Sequence, residues 1–212
     1  MKLRIVSPAA FAALASAVLL AAPVLAQEAA KPALALGASA PMKSAKMKGV
    51  DGKDVSISDV EGKKGTLVIF TCNACPYAKA WEERIVALGN EYATKGVGVI
   101  AINSNDPAIV ADDSYEVMQK RAAERKMGFP YVVDATSEVA RAFGATRTPE
   151  AFLFDASGKL VYHGAVDDNH KEPEKVEKRY LKDALAAVAG GAAVPVAETK
   201  AIGCSIKFKK QA

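Results

Sequence analysis

The chain has little of most residue types that carry chemistry. Among 212 residues there are three cysteines, two histidines and one tryptophan. Three cysteines are too few to staple a small secreted scaffold with disulfides. A second Cys-x-x-Cys, which a four-cysteine zinc site needs, is missing. So are a glycine-rich phosphate loop and a Cys-x-x-Cys-His segment, so neither a nucleotide cradle nor a haem attachment site is written here, and no cofactor is expected. Charge of neither sign dominates: 28 Lys and Arg face 24 Asp and Glu, a formal net charge of +4. The lysines are scattered rather than striped along one face, which argues against a nucleic-acid partner. Lys207, Lys209 and Lys210 read as a solvated tail.

Long apolar runs are also absent, with one exception at the start. Lys2 and Arg4 precede a nearly continuous apolar stretch from Ala9 to Ala22, and Val24-Leu25-Ala26 offers small residues before Gln27. This is the pattern of a secretory signal peptide over 1–26. The run falls below the ~18 residues needed to span a bilayer, and Pro23 interrupts it. The expectation is therefore a periplasmic or secreted protein with no stable membrane anchor after cleavage. Loss of Lys2 and Arg4 lowers the formal charge from +4 to +2. The remaining length suits one domain with a proper core.

The organisation that follows is a linker over 27–45, a folded domain over 46–190 and a C-terminal tail over 191–212 that carries Cys204. Asp51-Gly52 between short extended runs predicts a small hairpin. Thr66–Thr71 and Val97–Ile102 read as buried strands. Between them, Trp81, Ile85, Leu88 and Tyr92 form the apolar stripe of a helix that starts near Pro76 and ends at Gly96. A charged helix from Asp112 to Lys126, a strand at 129–133 and a short helix at 138–143 come next. Strands at 151–154 and 160–163 meet at an Asp155-Ala156-Ser157-Gly158 turn, and a helix from about Glu174 to Val188 closes the domain. Alternating strands and helices with a terminal strand pair predict an α/β protein with helices on both faces of a mixed sheet.

Cys72 and Cys75 close the first buried run, in Phe70-Thr71-Cys72-Asn73-Ala74-Cys75-Pro76. A strand-to-helix junction offers free backbone N–H groups and the positive end of a helix dipole, and both favour a thiolate. A thiolate attacks disulfides, so the pair points to redox chemistry, with metal ligation as the competing use of the same spacing.

Three segments together resemble the exported, peroxiredoxin-like branch of the thioredoxin-fold redoxins. They are Phe70–Tyr77, the Thr148-Pro149 pair before the strand at 151–155, and Gly203-Cys204-Ser205-Ile206-Lys207. The resemblance covers roughly residues 38–210. It implies a thioredoxin-like fold, a central mixed β-sheet flanked by helices, with an N-terminal hairpin extension and an inserted helix–strand segment. It implies a cis peptide at Thr148-Pro149 beside the reactive thiol, where the residue before proline offers backbone hydrogen bonds to a bound peptide. The implied activity is thiol–disulfide exchange with protein substrates and a redox partner. Cys72 is expected as the exposed attacking thiolate and Cys75 as the resolving thiol, with Thr148, Pro149 and Tyr77 lining the substrate surface. Phe70 and Trp81 read as core.

Thr71 stands where thioredoxins carry tryptophan, and Thr66 where they bury an acid. A proton acceptor must then come from elsewhere, with Glu83 and Glu150 the nearest in sequence, both reading as ordinary solvated carboxylates. Cys204 is open between a third redox thiol bonding to Cys72 or Cys75, a bond between chains, and a buried small apolar side chain. A thiol peroxidase is the second enzymatic reading. It needs a threonine three residues before its reactive cysteine, where Cys72 precedes Cys75, and an arginine, for which Arg84 and Arg147 are unanchored candidates. Copper binding is the third, with His163 and His170 the only histidines; a solvated loop or strand-edge histidine is the plainer reading, and no metal ligand is assigned.

Overall fold

Every side chain of Gly65–Phe70 (β3) is buried, so this strand forms inside a sheet with both faces covered. The structure, a computed structural model, describes residues 32–211. The signal peptide expected over 1–26 lies outside the described residues.

A hairpin of Met47–Gly49 (β1) and Asp54–Val55 (β2) precedes β3, turning at Gly52, whose φ of 84° is open to glycine at no steric cost. Pro76–Thr94 (α1) then crosses to Val97–Asn103 (β4). Tyr115–Arg125 (α2), Tyr131–Val133 (β5), Glu138–Phe143 (α3) and Arg147–Thr148 (β6) follow. Glu150–Asp155 (β7) and Leu160–Gly164 (β8) form the terminal strand pair, with Tyr180–Gly190 (α4) and Cys204–Ser205 (β9) after it. The seven-stranded sheet has the order β2-β1-β5-β4-β3-β7-β8. Strands β3, β4 and β5 run parallel, while β7, β8 and the hairpin are antiparallel to their neighbours. The predicted mixed sheet with helices on both faces is what forms, including the hairpin added at its edge.

Alternation along the strands divides the core in two. Leu67 and Ile69 of β3, with Val99 and Leu153, pack under α1 and α4 against Trp81, Ile85, Leu181 and Leu185. Val68 and Phe70, with Ile100, Ile102 and Phe152, face α3. There Phe70, Phe143 and Phe152 meet edge to face, at centroid separations of 5.2–5.7 Å. Aromatic pairs in this geometry contribute about 0.5–1.5 kcal/mol beyond their burial.

Three segments differ from expectation. The stretch read as a linker lies against the body over 34–45: the Leu34 N–H donates to the Phe143 carbonyl and Gly37 to Leu160, while Leu34, Ala40 and Ala45 pack on the α3 face. The last helix begins at Tyr180 rather than Glu174, which sits in a single 3-10 turn at Pro173–Lys175. The Asp168 N–H donates to the Lys178 carbonyl and buried Val176 is extended, so this stretch is spent on anchoring rather than helix. The helix expected from Asp112 starts at Tyr115, because Ala111–Asp113 forms a 3-10 turn that sends the Asp113 side chain inward.

Candidate active site

Proline at the first helical position fixes where α1 starts, and that makes Cys75 its N-cap. Cys72 lies before the helix, in the loop that leaves β3, so the two thiols do not share a helix face. Both are buried, at 5% and 4% exposure for Cys72 and Cys75, which overturns the expectation of an exposed Cys72. The fold brings Thr148 between them: its hydroxyl meets the Cys72 Sγ at 3.2 Å, and its carbonyl oxygen lies 3.1 Å from the Cys75 Sγ, where it accepts only while that sulfur carries its proton. The Thr148-Pro149 peptide is cis, as the resemblance implied. Cys204 is the third member of the cluster, its N–H pointing at the Cys75 Sγ at 3.4 Å.

The proton is unequally held. Hydrogen bonding from Cys72 pulls the Cys75 thiol down to about 4 against the opposing effect of burial, helped by Cys204 and the backbone N–H of Ala78. Cys72 moves the other way, far above the ordinary thiol range, through its bond to Cys75, its burial and the nearby charge of Asp113. Cys204 is pushed up to about 11 by burial and by Cys75. The two thiols titrate as one coupled pair, and the helix N-terminus that Cys75 caps favours negative charge on that side of it.

The loop joining the two thiols is held by a carboxylate that sequence reasoning missed. Asp113 accepts the N–H groups of Asn73 at 2.6 Å and Ala74 at 3.1 Å, and its other oxygen takes the Asn105 amide at 2.7 Å. The Asn73 side chain spans the Asp112 carbonyl and the Tyr131 hydroxyl. A signal was available: the polar run Asn103-Ser104-Asn105-Asp106 leaves the carboxyl end of an interior parallel strand, where α/β proteins build sites.

The other expected groups are placed as follows. Half-buried Tyr77 lies against His170, ring centroids 4.6 Å apart and tilted by 43°, and leans on Trp81 at 6.5 Å. Arg84 holds that corner by pairing with buried Asp167 and donating to the Asn169 and His170 carbonyls, while Asp167 also takes the Trp81 indole N–H at 2.7 Å. Glu150, expected to be solvated, is buried. Its carboxylate binds His163 at 2.7 Å and accepts the Thr146 and Arg147 N–H groups, each at 2.8 Å. Glu83 stays exposed, whereas its neighbour Glu82 is buried and paired with Arg121 and Arg125. Phe70 and Trp81 are core.

A parallel β-α-β followed by an antiparallel strand pair, with paired thiols at the helix N-terminus opposite a cis proline, defines a thioredoxin-like fold. A solution structure of a thioredoxin-like protein in its oxidised form shares that fold, with a TM-score of 0.59 at 20% identity over 75% of this chain and 99% of that one. A crystal structure of an uncharacterised conserved protein from Geobacillus kaustophilus superposes with a TM-score of 0.77 at 39% identity, covering 84% of this chain and 94% of that one. The Redoxin family profile matches residues 35–180, and the chain belongs to the Redoxin family. Among curated relatives, the thiol-disulfide oxidoreductase ResA of Halalkalibacterium halodurans is 27% identical over 112 residues. That alignment takes in 53% of this chain and 59% of the relative, so somewhat over half of the relative's length is spanned.

Proposed function

We propose that the protein is a thiol–disulfide oxidoreductase acting on protein partners through Cys75 and Cys72. The observation that carries this reading is geometric: both thiols meet Thr148, one at its hydroxyl and one at its carbonyl, beside the cis Thr148-Pro149 peptide and the start of α1. The relative in Halalkalibacterium halodurans, named for the same activity, supports it. The Cys75 thiolate attacks a substrate disulfide, forming a mixed disulfide and releasing one substrate thiolate to solvent protonation. Cys72 then attacks the Cys75 sulfur, its proton passes to the second substrate sulfur, and the protein is left with a Cys72–Cys75 disulfide. The attacking role thus passes from Cys72, where the sequence placed it, to Cys75. Thr148, Pro149 and Tyr77 form the substrate surface, and Cys204 is a third redox thiol within reach of Cys75.

Residues 1–26 serve as an export signal, and chemistry of this kind belongs in the periplasm or outside the cell. Among the described residues no helix is long and apolar enough to cross a membrane. The peroxidase reading draws no support, since Arg84 is engaged by Asp167 and Arg147 is exposed. Copper binding fares no better: His163 is engaged by Glu150, and His170 packs its ring against Tyr77.

Thiol trapping with intact-mass readout across glutathione redox buffers tests the function. Reversible loss of two thiols mapped to Cys72 and Cys75, and abolished in Cys75→Ser, is the expected result; the midpoint gives the potential. A pair that never oxidises or never reduces rules the exchange activity out.

A further inference from the structure

An exchange enzyme with a nucleophile only 4% exposed cannot meet a protein disulfide as it stands, and the cover is the chain's own tail. Strand β9 pairs antiparallel with β6, setting Cys204 opposite Thr148 and Ser205 opposite Arg147. The residue that contacts both thiols is therefore already bonded, on its open edge, to an extended segment that carries a cysteine. The tail is tied on either side of this point. Before it, the Thr199 N–H donates to the His163 carbonyl and His163 to Ala197. After it, Lys207 bonds Asn105, and Lys209 bonds Ser137. Over the thiols themselves the cover is Cys204 and Ser205, with Arg147 Nη1 at 3.2 Å from the Ser205 hydroxyl and 3.4 Å from the Gly203 carbonyl, and buried Ile206, bonded to the Thr146 carbonyl, holds its far end. Ile202, at the top of the span, is 43% exposed.

Resting on the exchange reading, we infer that this tail is a displaceable strap occupying the position of the substrate strand. The substrate class follows from what the strap does there. It is an extended, locally unfolded segment that adds as an antiparallel strand to Thr148 and presents its cysteine to Cys75, as peptides add to exposed strand edges elsewhere. The groove is also selective for the residue before that cysteine. A Cβ on Gly203 would stand 2.1 Å from the Thr148 carbonyl oxygen, so only glycine fits in the docked register. A substrate segment with a larger residue there binds in a shifted register or further from Thr148. The strap must lift for exchange, and its return closes the site with Cys204 beside Cys75.

Gly203→Val tests the strap directly, because the added side chain cannot coexist with the docked strand. The measured quantity is the rate at which a bulky maleimide labels Cys75 in the full chain, located by peptide mass mapping. Labelling rises about tenfold or more in the variant, the change that follows when local opening becomes easier by ~1.4 kcal/mol. Arg147→Ala, which loosens the same contact by removing an exposed side chain, raises it in the same direction and covers the event that Gly203→Val folds poorly. Equal labelling in the parent, Gly203→Val and Arg147→Ala overturns the strap. Exchange with a disulfide-linked extended peptide is assayed separately: its failure in all variants, with labelling still accelerated, counts against the oxidoreductase reading and leaves the strap standing.

Discussion

The Asp113 carboxylate accepts the Asn73 backbone N–H at 2.6 Å, tying the turn before α2 to the loop between the two thiols. A buried anion this close to Cys72 opposes its ionisation, while the same anion satisfies backbone N–H groups that the loop cannot pair internally. One residue thus fixes the loop's shape and adds to the burial and the Cys75 contact that hold the proton on Cys72.

Asp113→Asn separates those two effects. The amide oxygen still accepts, but the charge is gone and an N–H₂ group faces Asn105. Stability falls by about 1–3 kcal/mol, the range for a buried charge-assisted hydrogen bond, read from the denaturant midpoint at unchanged m. The apparent pKa of Cys72, followed by thiolate absorbance in a Cys204→Ser background, falls at the same time. A variant with lowered stability and an unmoved Cys72 titration would show that Asp113 is scaffolding alone.

The alkylation of Cys75 has a predictable pH profile. Its thiol is held down to about 4, so the thiolate is fully formed at neutral pH and the labelling rate by a small reagent is flat from about pH 6 upward. The rate drops as pH falls through about 4. In Cys72→Ala the principal donor to the thiolate is removed, and the inflection moves upward toward the ordinary thiol range. An inflection unchanged by that substitution would assign the low value to the helix N-terminus instead.

The main elements were legible because their signals are local. Gly65–Phe70 and Val97–Asn103 are apolar runs too short for helices, and Trp81, Ile85, Leu88 and Tyr92 recur at helical spacing. Glu138–Phe143 was placed to the residue by the glycine that ends it. The thiol pair and Thr148-Pro149 were legible from the family's motifs. What stayed hidden depends on contacts between distant segments. Asp113 reaches Asn73 from forty positions away, and Glu150 meets His163 across the β7–β8 pair. Nothing local distinguishes either from a solvated acid. The proposed exchange of roles between the two cysteines rests on the cap itself: with Pro76 at the first helical position, Cys75 rather than Cys72 is the N-cap.

Asp167→Asn probes the aromatic corner. Asp167 binds both the Trp81 indole and Arg84, and Arg84 in turn holds the carbonyls that present His170 to Tyr77. Neutralising one partner of a buried pair leaves the guanidinium under-compensated, at a cost of about 3–5 kcal/mol. Because the corner meets the thiol cluster through the Tyr77 ring and supplies no reacting group, KM for a peptide disulfide rises more than kcat falls. A reduction confined to kcat would remove Tyr77 and His170 from the substrate surface.

The His163–Glu150 pair makes stability depend on pH in a direction its burial alone would reverse. Burial disfavours the imidazolium, but the hydrogen bond and charge of Glu150, with Glu198 on the other side, more than offset it, and the histidine is raised. A raised folded-state pKa means that the folded protein binds this proton more tightly than the unfolded chain. The stabilisation is therefore complete below the unfolded value of about 6.5 and is lost as pH rises through the higher folded value. In His163→Gln the pH-linked part disappears, so the stability difference between parent and variant is greatest near pH 5.5 and narrows above neutrality. The other oxygen of Glu150 accepts the Thr146 and Arg147 N–H groups that lead into Thr148, so loss of the imidazolium frees that carboxylate and the parent's strap loosens over that window. Cys75 labelling by a bulky maleimide then rises between pH 6.5 and 8.5 in the parent although its thiolate is already fully formed, and stays flat in His163→Gln. A parent whose labelling and stability are both level across that interval would show that the histidine titrates without consequence for the site.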